Sequence, residues 1–238
     1  MTAILIFTLV FLAALIQSIS GFGFAVIIMP LITLVLGLQA AAPMVALTAL
    51  TVYVINLIRY RQAINLGEVL RLGVMSALGV PIGIWALGSV SETLVKQVMG
   101  LVLIAYAIYT LARPATSWVP SHFWVYPAGF LAGCMGGAYN TPGPPLIVYG
   151  SLRQWPKDEF RAVLQALFLA SAVLVVTSHL VAGHVTEDVL TSYLYALPAL
   201  GLGIFVGSRL DNKVDRERFR ILVTALILIL GLSLVIGI

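Results

Sequence analysis

Charged residues are scarce in this 238-residue sequence, where Asp, Glu, Lys and Arg together make up 9%. In soluble domains about a quarter of all residues are charged, so this scarcity excludes a water-soluble fold. The single cysteine, Cys134, excludes a disulfide within the chain. Long polar stretches are also missing, which leaves no room for a separate soluble domain. What is present is a chain that is 61% hydrophobic and suited to a lipid environment.

Ten apolar segments follow one another along the chain, and they predict an all-α polytopic membrane protein. Most contain about 17 to 21 residues, the length at which a helix crosses or nearly crosses the hydrocarbon core. The first lacks a basic leader and a cleavage site, so we expect a retained helix rather than a signal peptide. The seventh would rise only about 15 Å as a helix and must return or stop midway. The segments are residues 3–19, 22–37, 40–58, 68–88, 96–112, 122–138, 142–151, 162–181, 188–208 and 219–237.

Basic residues indicate how the helices are oriented. If Arg59 and Arg61 face the cytoplasm, all of the thirteen Lys and Arg except Lys96 fall on that side. The net charge of +4 is therefore a topology signal in a cytoplasmic membrane, and nucleic acid is not an expected partner. The count requires residues 1–37 and 122–151 each to leave and return on one side, as re-entrant hairpins or as two crossings. Both termini are then predicted to be non-cytoplasmic.

Similar stretches in the two halves of the chain indicate an internal repeat. SGFGFAVIIMPLI (20–32) and MGGAYNTPGPPLI (135–147) both run from glycines to Pro-Leu-Ile, which aligns Pro30 with Pro145. Later in each half, the stretch VPIGIWALG resembles LGLGIFVG. The order of these stretches predicts two related halves within one transporter domain, 1–238.

Each half, 1–113 and 121–238, combines one hairpin with three spans, and this count predicts an inverted repeat. Three crossings are an odd number, so the second half enters the membrane from the opposite face. Inverted repeats are typical of secondary transporters, which bind their substrate at broken helices near the middle of the bilayer. We therefore look for the site where the sequence breaks its helices.

The stretch GFLAGCMGGAYNTPGPPLIVYG (129–150) contains the strongest helix break. Pro142, Pro144 and Pro145 forbid one continuous helix through it. Broken backbone is tolerated in lipid only where it is buried in protein or lines a cavity. A second break is indicated by the glycines of Gly21–Phe24, and we predict that the two breaks together form a binding site.

The predicted ligand of these breaks is a small anion held by neutral donors. Acidic and basic residues all lie in loops or at segment ends, so the donors would be hydroxyls, amides and backbone N–H groups at helix starts. We expect no catalytic residue, metal or cofactor. The candidate substrate-binding residues are Gln17, Ser20, Gly21, Phe22, Gly23, Phe24, Tyr139, Asn140, Thr141 and Gly143.

Several small or polar residues also have purely structural interpretations. Gln17 and Ser20 could cap or hydrogen-bond helices within the bundle, and the aromatic candidates could fill the core. Gly129, Gly133 and Gly137 are spaced by four residues, which predicts a packing seam between helices rather than a ligand site.

Four ionisable residues near or within the second half receive similar interpretations. His179 is the one titratable side chain well inside an apolar segment, and we expect a hydrogen-bonded core residue rather than a proton relay. Arg153, Lys157 and Arg161 are expected to fix the topology, with attraction of anions to the cytoplasmic mouth as a secondary hypothesis.

The stretch GPPLIVYGSLRQWPKDEFRAVLQALFL (143–169) resembles the second-half signature of the sulfite exporter TauE/SafE family. In that family a Gly-Pro-Pro and an apolar run precede a polar loop and an Arg-Ala that opens the next helix. The first-half signature is similar to the glycines and proline of 21–30. The resemblance extends over essentially the whole chain and implies an integral-membrane transporter of sulfite, sulfonates or related organosulfur anions. The matching residues are Gly143, Pro144, Pro145, Arg161, Ala162, Gly21, Gly23 and Pro30.

The predicted function is a secondary transporter that exports small sulfur-containing anions by alternating access. An anion channel or uniporter with the same pore chemistry is the alternative. An intramembrane enzyme is disfavoured, since it would need an acidic dyad, a nucleophile with a base, or paired histidines inside the apolar segments. The expected partners are the small anion and the lipid bilayer, and assembly into a homo-oligomer is left open.

Overall fold

In a computed structural model, the chain forms ten α-helices and no β-strand over the residues that the structure describes, which are 2–112, 119–210 and 216–237. Two short 3₁₀ helices, Arg61–Ala63 and His122–Trp124, precede α4 and α6. The helices are α1 (Thr2–Ser20), α2 (Phe24–Leu36), α3 (Leu38–Tyr60), α4 (Leu66–Ser89), α5 (Glu92–Ala112), α6 (Val125–Tyr139), α7 (Gly143–Leu152), α8 (Lys157–Val181), α9 (Glu187–Leu210) and α10 (Arg216–Ile236).

These helices coincide with the ten apolar segments, and the all-α polytopic fold is confirmed. Among the described residues, five helices are long and apolar enough to cross a membrane, namely α3, α4, α5, α8 and α9. The helix α7 has 10 residues and rises about 15 Å, so it ends inside a hydrocarbon core of about 30 Å. The helix α2, with 13 residues, is also too short to cross.

Helix packing interleaves the two halves of the chain. The first helix of each half packs along the fourth helix of the other half, so that α1 lies on α9 and α6 lies on α4. The pair α3 and α8 and the pair α5 and α10 also join the halves. Two structurally related halves would make these contacts, while their inverted-repeat relation stays a prediction.

Glycines bring the interleaved helices into close contact. A Cβ atom at Gly129 would lie 2.6 Å from the carbonyl oxygen of Leu72, and one at Gly133 would collide with the carbonyl of Ser76. On the other pair, a Cβ atom at Gly207 would lie 2.7 Å from the carbonyl oxygen of Leu15. The predicted packing seam is confirmed, and each interleaved pair of helices is closely packed along its length.

The alignment of Pro30 with Pro145 does not hold in helix register. Pro30 is the seventh residue of α2, whereas Pro145 is the third residue of α7. Proline in the first turn of a helix is tolerated because the amides there lack intrahelical partners, while interior proline removes a hydrogen bond. The two prolines therefore act differently. The first residues after α1 and α6 are instead alike, since Gly21 and Asn140 both have left-handed φ values of 84° and 54°.

The core of the bundle surrounds α2. Its residues from Phe24 to Pro30 are all buried, and Ile32 and Thr33 are buried as well. A helix that is apolar on all faces is suited to the interior of a large protein or to a membrane. The short helix α2 therefore begins in the middle of the bundle, where its first turn is enclosed by protein.

Candidate functional site

The first helix break joins α1 to α2 through a turn that requires glycine. Gly21 and Gly23 have φ values of +84° and +105°, in the left-handed region that L side chains rarely adopt. The buried side chain of Gln17 closes the turn, since its Oε1 accepts the Phe24 N–H at 2.8 Å. Gln17 therefore caps α2, which is the structural interpretation of this candidate.

The helix α8 fixes the first break from the side. Gln165 is fully buried, and its Nε2 donates to the carbonyl oxygen of Gly21 at 2.7 Å. Its Oε1 lies 3.4 Å from Nε2 of Gln17, which donates to it. The sequence analysis did not identify Gln165 as a site residue. A signal was present, because Gln165 is a polar residue inside the apolar segment 162–181. It also follows Arg161 by four positions, which puts both residues on the same face of a helix.

Arg161 lies beside the first break rather than in a solvated loop. Its side chain is only 7% exposed, and Nη2 donates to the carbonyl oxygen of Ile19 at 3.1 Å. The guanidinium also lies over the ring of Tyr60, with Cζ 5.5 Å from the ring centroid. Arginine stays protonated in proteins. A permanent positive charge therefore lies beside the first break, whereas an anion site formed by neutral donors and the topological role of Arg161 stay predictions.

The second helix break joins α6 to α7 and is fixed by its own residues. Asn140 ends α6 with a left-handed φ of 54°, a conformation that asparagine tolerates better than most residues. Its backbone N–H donates to the carbonyl oxygen of Gly136 at 2.9 Å. Its side-chain Nδ2 donates to the carbonyl oxygen of Ala42 in α3 at 2.7 Å. Asn140 thus ties the second break to α3.

Thr141 brings an unused hydroxyl into the second break. Its side chain is 1% exposed, and Oγ1 has no hydrogen-bond partner among the residues that the structure describes. A buried hydroxyl without a partner is destabilising and calls for an explanation such as a ligand or an ordered water. Pro144 and Pro145 have no N–H, so Gly143 is the amide that remains in the first turn of α7.

The starts of α2 and α7 meet inside the bundle. A Cβ atom at Gly143 would lie 3.8 Å from Cγ2 of Val26, in the first turn of α2, and 3.6 Å from Cζ of Phe168 in α8. The amides of Ala25 and Val26 precede the first intrahelical bond of α2, which the Ile27 N–H donates to Gly23. Two helix N-termini, each with a partial positive charge, therefore converge on one buried region.

The other candidates lie around this region in supporting positions. The hydroxyl of Ser20 donates to the carbonyls of Ile16, at 2.8 Å, and of Phe22. The half-buried ring of Phe22 packs edge-on against Phe160, with centroids 6.4 Å apart. Tyr139 lines a different space, an apolar groove bordered by α5, α6 and α7. The structure thus places Phe24, Thr141 and Gly143 in or beside the converging helix starts, and gives the remaining candidates hydrogen bonds or packing contacts.

His179 has a histidine neighbour that the apolar segments did not reveal. It is buried near the end of α8, and its Nδ1 lies 3.1 Å from Nδ1 of His184 in the following loop. The prediction of a hydrogen-bonded core histidine is therefore confirmed. His184 lies three residues beyond the apolar segment 162–181, and its position in the sequence alone does not indicate a contact with His179.

Comparison with known proteins is consistent with this architecture. The family model described as "Sulfite exporter TauE/SafE" matches residues 6–234. A curated relative, the "Probable inner membrane transporter protein TsaS" of Comamonas testosteroni, is 26% identical over 162 residues, which cover 66% of this chain and 67% of the relative. No solved structure matches the chain significantly.

Proposed function

This chain belongs to the sulfite exporter TauE/SafE family, and on that premise we propose that it is a secondary transporter of small sulfur-containing anions such as sulfite or a sulfonate. It is a multi-pass membrane transporter and not an enzyme. The proposed process is export across the cytoplasmic membrane, with both termini on the non-cytoplasmic side.

The convergence of the starts of α2 and α7 carries this proposal. Gly143 approaches Val26 so closely that a Cβ atom there would be in van der Waals contact with it. Helix starts with unpaired amides are ready-made sites for anions, because the N–H groups and the helix dipole act together. A small oxyanion between the two starts would meet donors from both breaks.

The proposed donors to the anion are few and come from both halves of the chain. They are the backbone amides of Ala25, Val26 and Gly143 and the unused hydroxyl of Thr141. Arg161 adds a positive charge on the α8 side of the first break, but its guanidinium is bonded to the Ile19 carbonyl and is not one of the proposed donors to the anion. A site built mainly of neutral donors suits a carrier, which must also release its substrate.

Alternating access is the proposed mechanism. The glycine contacts make α4–α6 and α1–α9 closely packed pairs, which would move as rigid bodies around the central helices α3 and α8. Each pair carries one helix break, since α6 leads into α7 and α1 leads into α2. Rocking of one pair against the other would expose the anion to either side of the membrane in turn.

Thr141 provides the sharpest test of this site. The purified protein would be melted with sulfite, sulfate, thiosulfate and small sulfonates, since a ligand of the folded state raises apparent stability. We expect stabilisation by a sulfur anion, and Thr141→Val to weaken its binding about tenfold or more, because a hydrogen bond to a charged group is worth about 1.5–3 kcal/mol.

Two further variants separate the hydroxyl from the shape of the side chain. Thr141→Ser keeps the donor and should retain binding. Thr8→Val is the control, because the Thr8 hydroxyl is exposed and bonds the carbonyl of Ile4 in its own helix. Unchanged anion binding in Thr141→Val would remove Thr141 from the site, and stabilisation by none of the sulfur anions would overturn the proposed substrate class.

A further inference from the structure

A long apolar groove lies between α5 and the helices α6 and α7, with α4 at its base. Its volume is about 740 Å³. Along α5 it extends from Val98 to Tyr109, which corresponds to about 16 Å of helix. The groove exists because α5 makes little contact with α7 within the described helices, whereas α10 packs against α2.

The groove is lined by hydrocarbon and is open to the membrane. Its walls are mainly aliphatic, proline and aromatic side chains, with Cys134 and Met135, so a hydrated anion would find no charged partner there. Leu131 and Ile82 line it and are still 53% and 48% exposed, which shows that the groove opens sideways. In a bilayer such a surface is in contact with lipid chains.

One end of the groove carries a positive charge. Arg153 follows α7, and its Nη1 donates at 3.3 Å to the carbonyl oxygen of Pro120, which lines the groove. The Nε of Arg153 is buried and has no hydrogen-bond partner in the described part of the chain. Trp124 and Tyr109 line the groove as well, and such amphipathic aromatic residues favour the membrane–water interface.

The charges around this end are positive in sum. Arg71 and Arg153 both lie within electrostatic range of Tyr149, another groove residue. The acidic group in contact with Tyr149 is Glu68, whose Oε2 accepts a hydrogen bond from the Tyr149 hydroxyl at 3.4 Å. Glu159 lies farther along, on the amide of Asn65. Among the described residues that act on Tyr149, two arginines against one carboxylate leave a net attraction for an anionic headgroup.

We propose that the groove binds one acyl chain of an anionic phospholipid whose phosphate is held by Arg153. Basic pockets between membrane helices bind anionic lipid headgroups, and here the cation stands at the end of a hydrocarbon channel. The other end of the groove is lined by Tyr139 and Pro144, on either side of the second helix break. The bound chain fills the space that α5 leaves beside α7 and supports the second break from the membrane side.

The test uses the purified full-length protein in detergent and phosphatidylglycerol as the lipid. We expect phosphatidylglycerol to raise the melting midpoint by several degrees and to remain bound in native mass spectra, and phosphatidylcholine to do less. Arg153→Gln should weaken the apparent affinity for phosphatidylglycerol about fivefold, since one basic residue near an anionic lipid is worth about 1 kcal/mol. Soluble glycerol phosphate should have no effect, because it lacks the chain.

A second variant tests the groove independently of the charge. Ala105 lines the groove and is exposed, so Ala105→Phe fills the space without entering the core and should abolish the lipid effect. The matched controls are Ala170→Phe and Arg209→Gln, at exposed positions that do not line the groove. Equal stabilisation by both phospholipids, or an unchanged phosphatidylglycerol effect in Ala105→Phe, would overturn the proposal.

Discussion

The two helix breaks occupy similar places in their halves but are stabilised in opposite ways. The first is held by a neighbouring helix, through Arg161 and Gln165, which are the fifth and ninth residues of α8. The fifth and ninth residues of α3 are Ala42 and Ala46, and the second break must supply its own amide to reach the Ala42 carbonyl. One break is fixed by polar side chains of a neighbouring helix, and the other by its own asparagine, which bonds to a backbone carbonyl of α3.

The two breaks also differ in the hydrogen-bond donors that remain available to a ligand. The first break uses its side chains internally and leaves backbone amides at the start of α2. The second has lost two amides to Pro144 and Pro145 but retains the unused hydroxyl of Thr141. It also borders the apolar groove, where α7 makes little contact with α5. We expect the first break to be the rigid side of the site and the second the adaptable side.

The largest effect on stability is expected at the first break, for Gly21→Val. Gly21 has φ +84°, and a Cβ atom there would lie 2.9 Å from Nε of the buried Arg161. Backbone strain and overpacking together should cost roughly 3 kcal/mol or more. Thermal unfolding in detergent measures this, with Gly88→Val as the control, because no neighbour lies within 4 Å of a Cβ atom there. Equal midpoints for the two variants would argue against a rigid first break.

A smaller loss is expected for Gln165→Leu. This change keeps the volume near that of glutamine but leaves the Gly21 carbonyl and the Gln17 amide without their buried partner. Each unsatisfied buried group costs about 1–3 kcal/mol and two such groups are created, so we expect a loss of at least about 2 kcal/mol in the free energy of unfolding. Denaturant titration checks it. If Gln165→Leu costs less stability than the matching change at the second break, Asn140→Gly, the first break is not the more firmly held of the two.

That matching change is Asn140→Gly, with an expected cost of about 1 kcal/mol, the net contribution of one hydrogen bond. Glycine keeps the left-handed backbone at this position and removes the buried side chain with its bond from Nδ2 to the Ala42 carbonyl. The same unfolding assay applies, and transport should fall because the second break is less tightly held. Wild-type transport by this variant would show that the bond to α3 is dispensable for function.

The smallest effect on stability, with a clear effect on transport, is expected for Gly143→Ala. The new Cβ would meet Ile147, Phe168 and Val26 at 3.5, 3.6 and 3.8 Å, which are ordinary contact distances. Glycine in the middle of a helix is less stable than alanine by roughly 0.5–1 kcal/mol, and Gly143 is only the first residue of α7, so the stability of the fold should change little. The methyl group would occupy part of the proposed anion site between the helix starts, and anion transport measured in vesicles should fall severalfold. Gly88→Ala is the control, and equal activity of the two would place the anion elsewhere.

Much of this architecture could be predicted from the sequence because it depends on local signals. Apolar runs of membrane length give the helices, and the glycines and prolines around Gly21 and Pro142 give the breaks. The polar support of the first break could not be read in the same way. Arg161 lies just before the apolar segment 162–181, where segment ends are uncertain by several residues and topology gives a sufficient reason for an arginine. Gln165 lies inside that segment, and its sequence position does not show which neighbouring helix its side chain contacts.

Two further features could not be predicted from the sequence, because they depend on how the helices are placed relative to one another. The shared letters Pro-Leu-Ile suggested one alignment of the halves, but helix register follows the ends of the helices and not the identity of three residues. The apolar groove results from the separation of α5 and α7, and no periodicity along either helix encodes that distance. Sequence patterns specify which faces are apolar, and tertiary packing decides which of them meet.

The interleaving of the halves has a consequence for how the protein is made. Phe11 of α1 is in close contact with Gly203 of α9, roughly 190 residues later, so at about 5–20 residues per second the ribosome needs on the order of 10–40 s to provide the partner. During that time α1 is inserted without its closest neighbour. The first half therefore lacks a main packing partner of α1 until α9 has been synthesised, and the contact between α1 and α9 forms late in assembly.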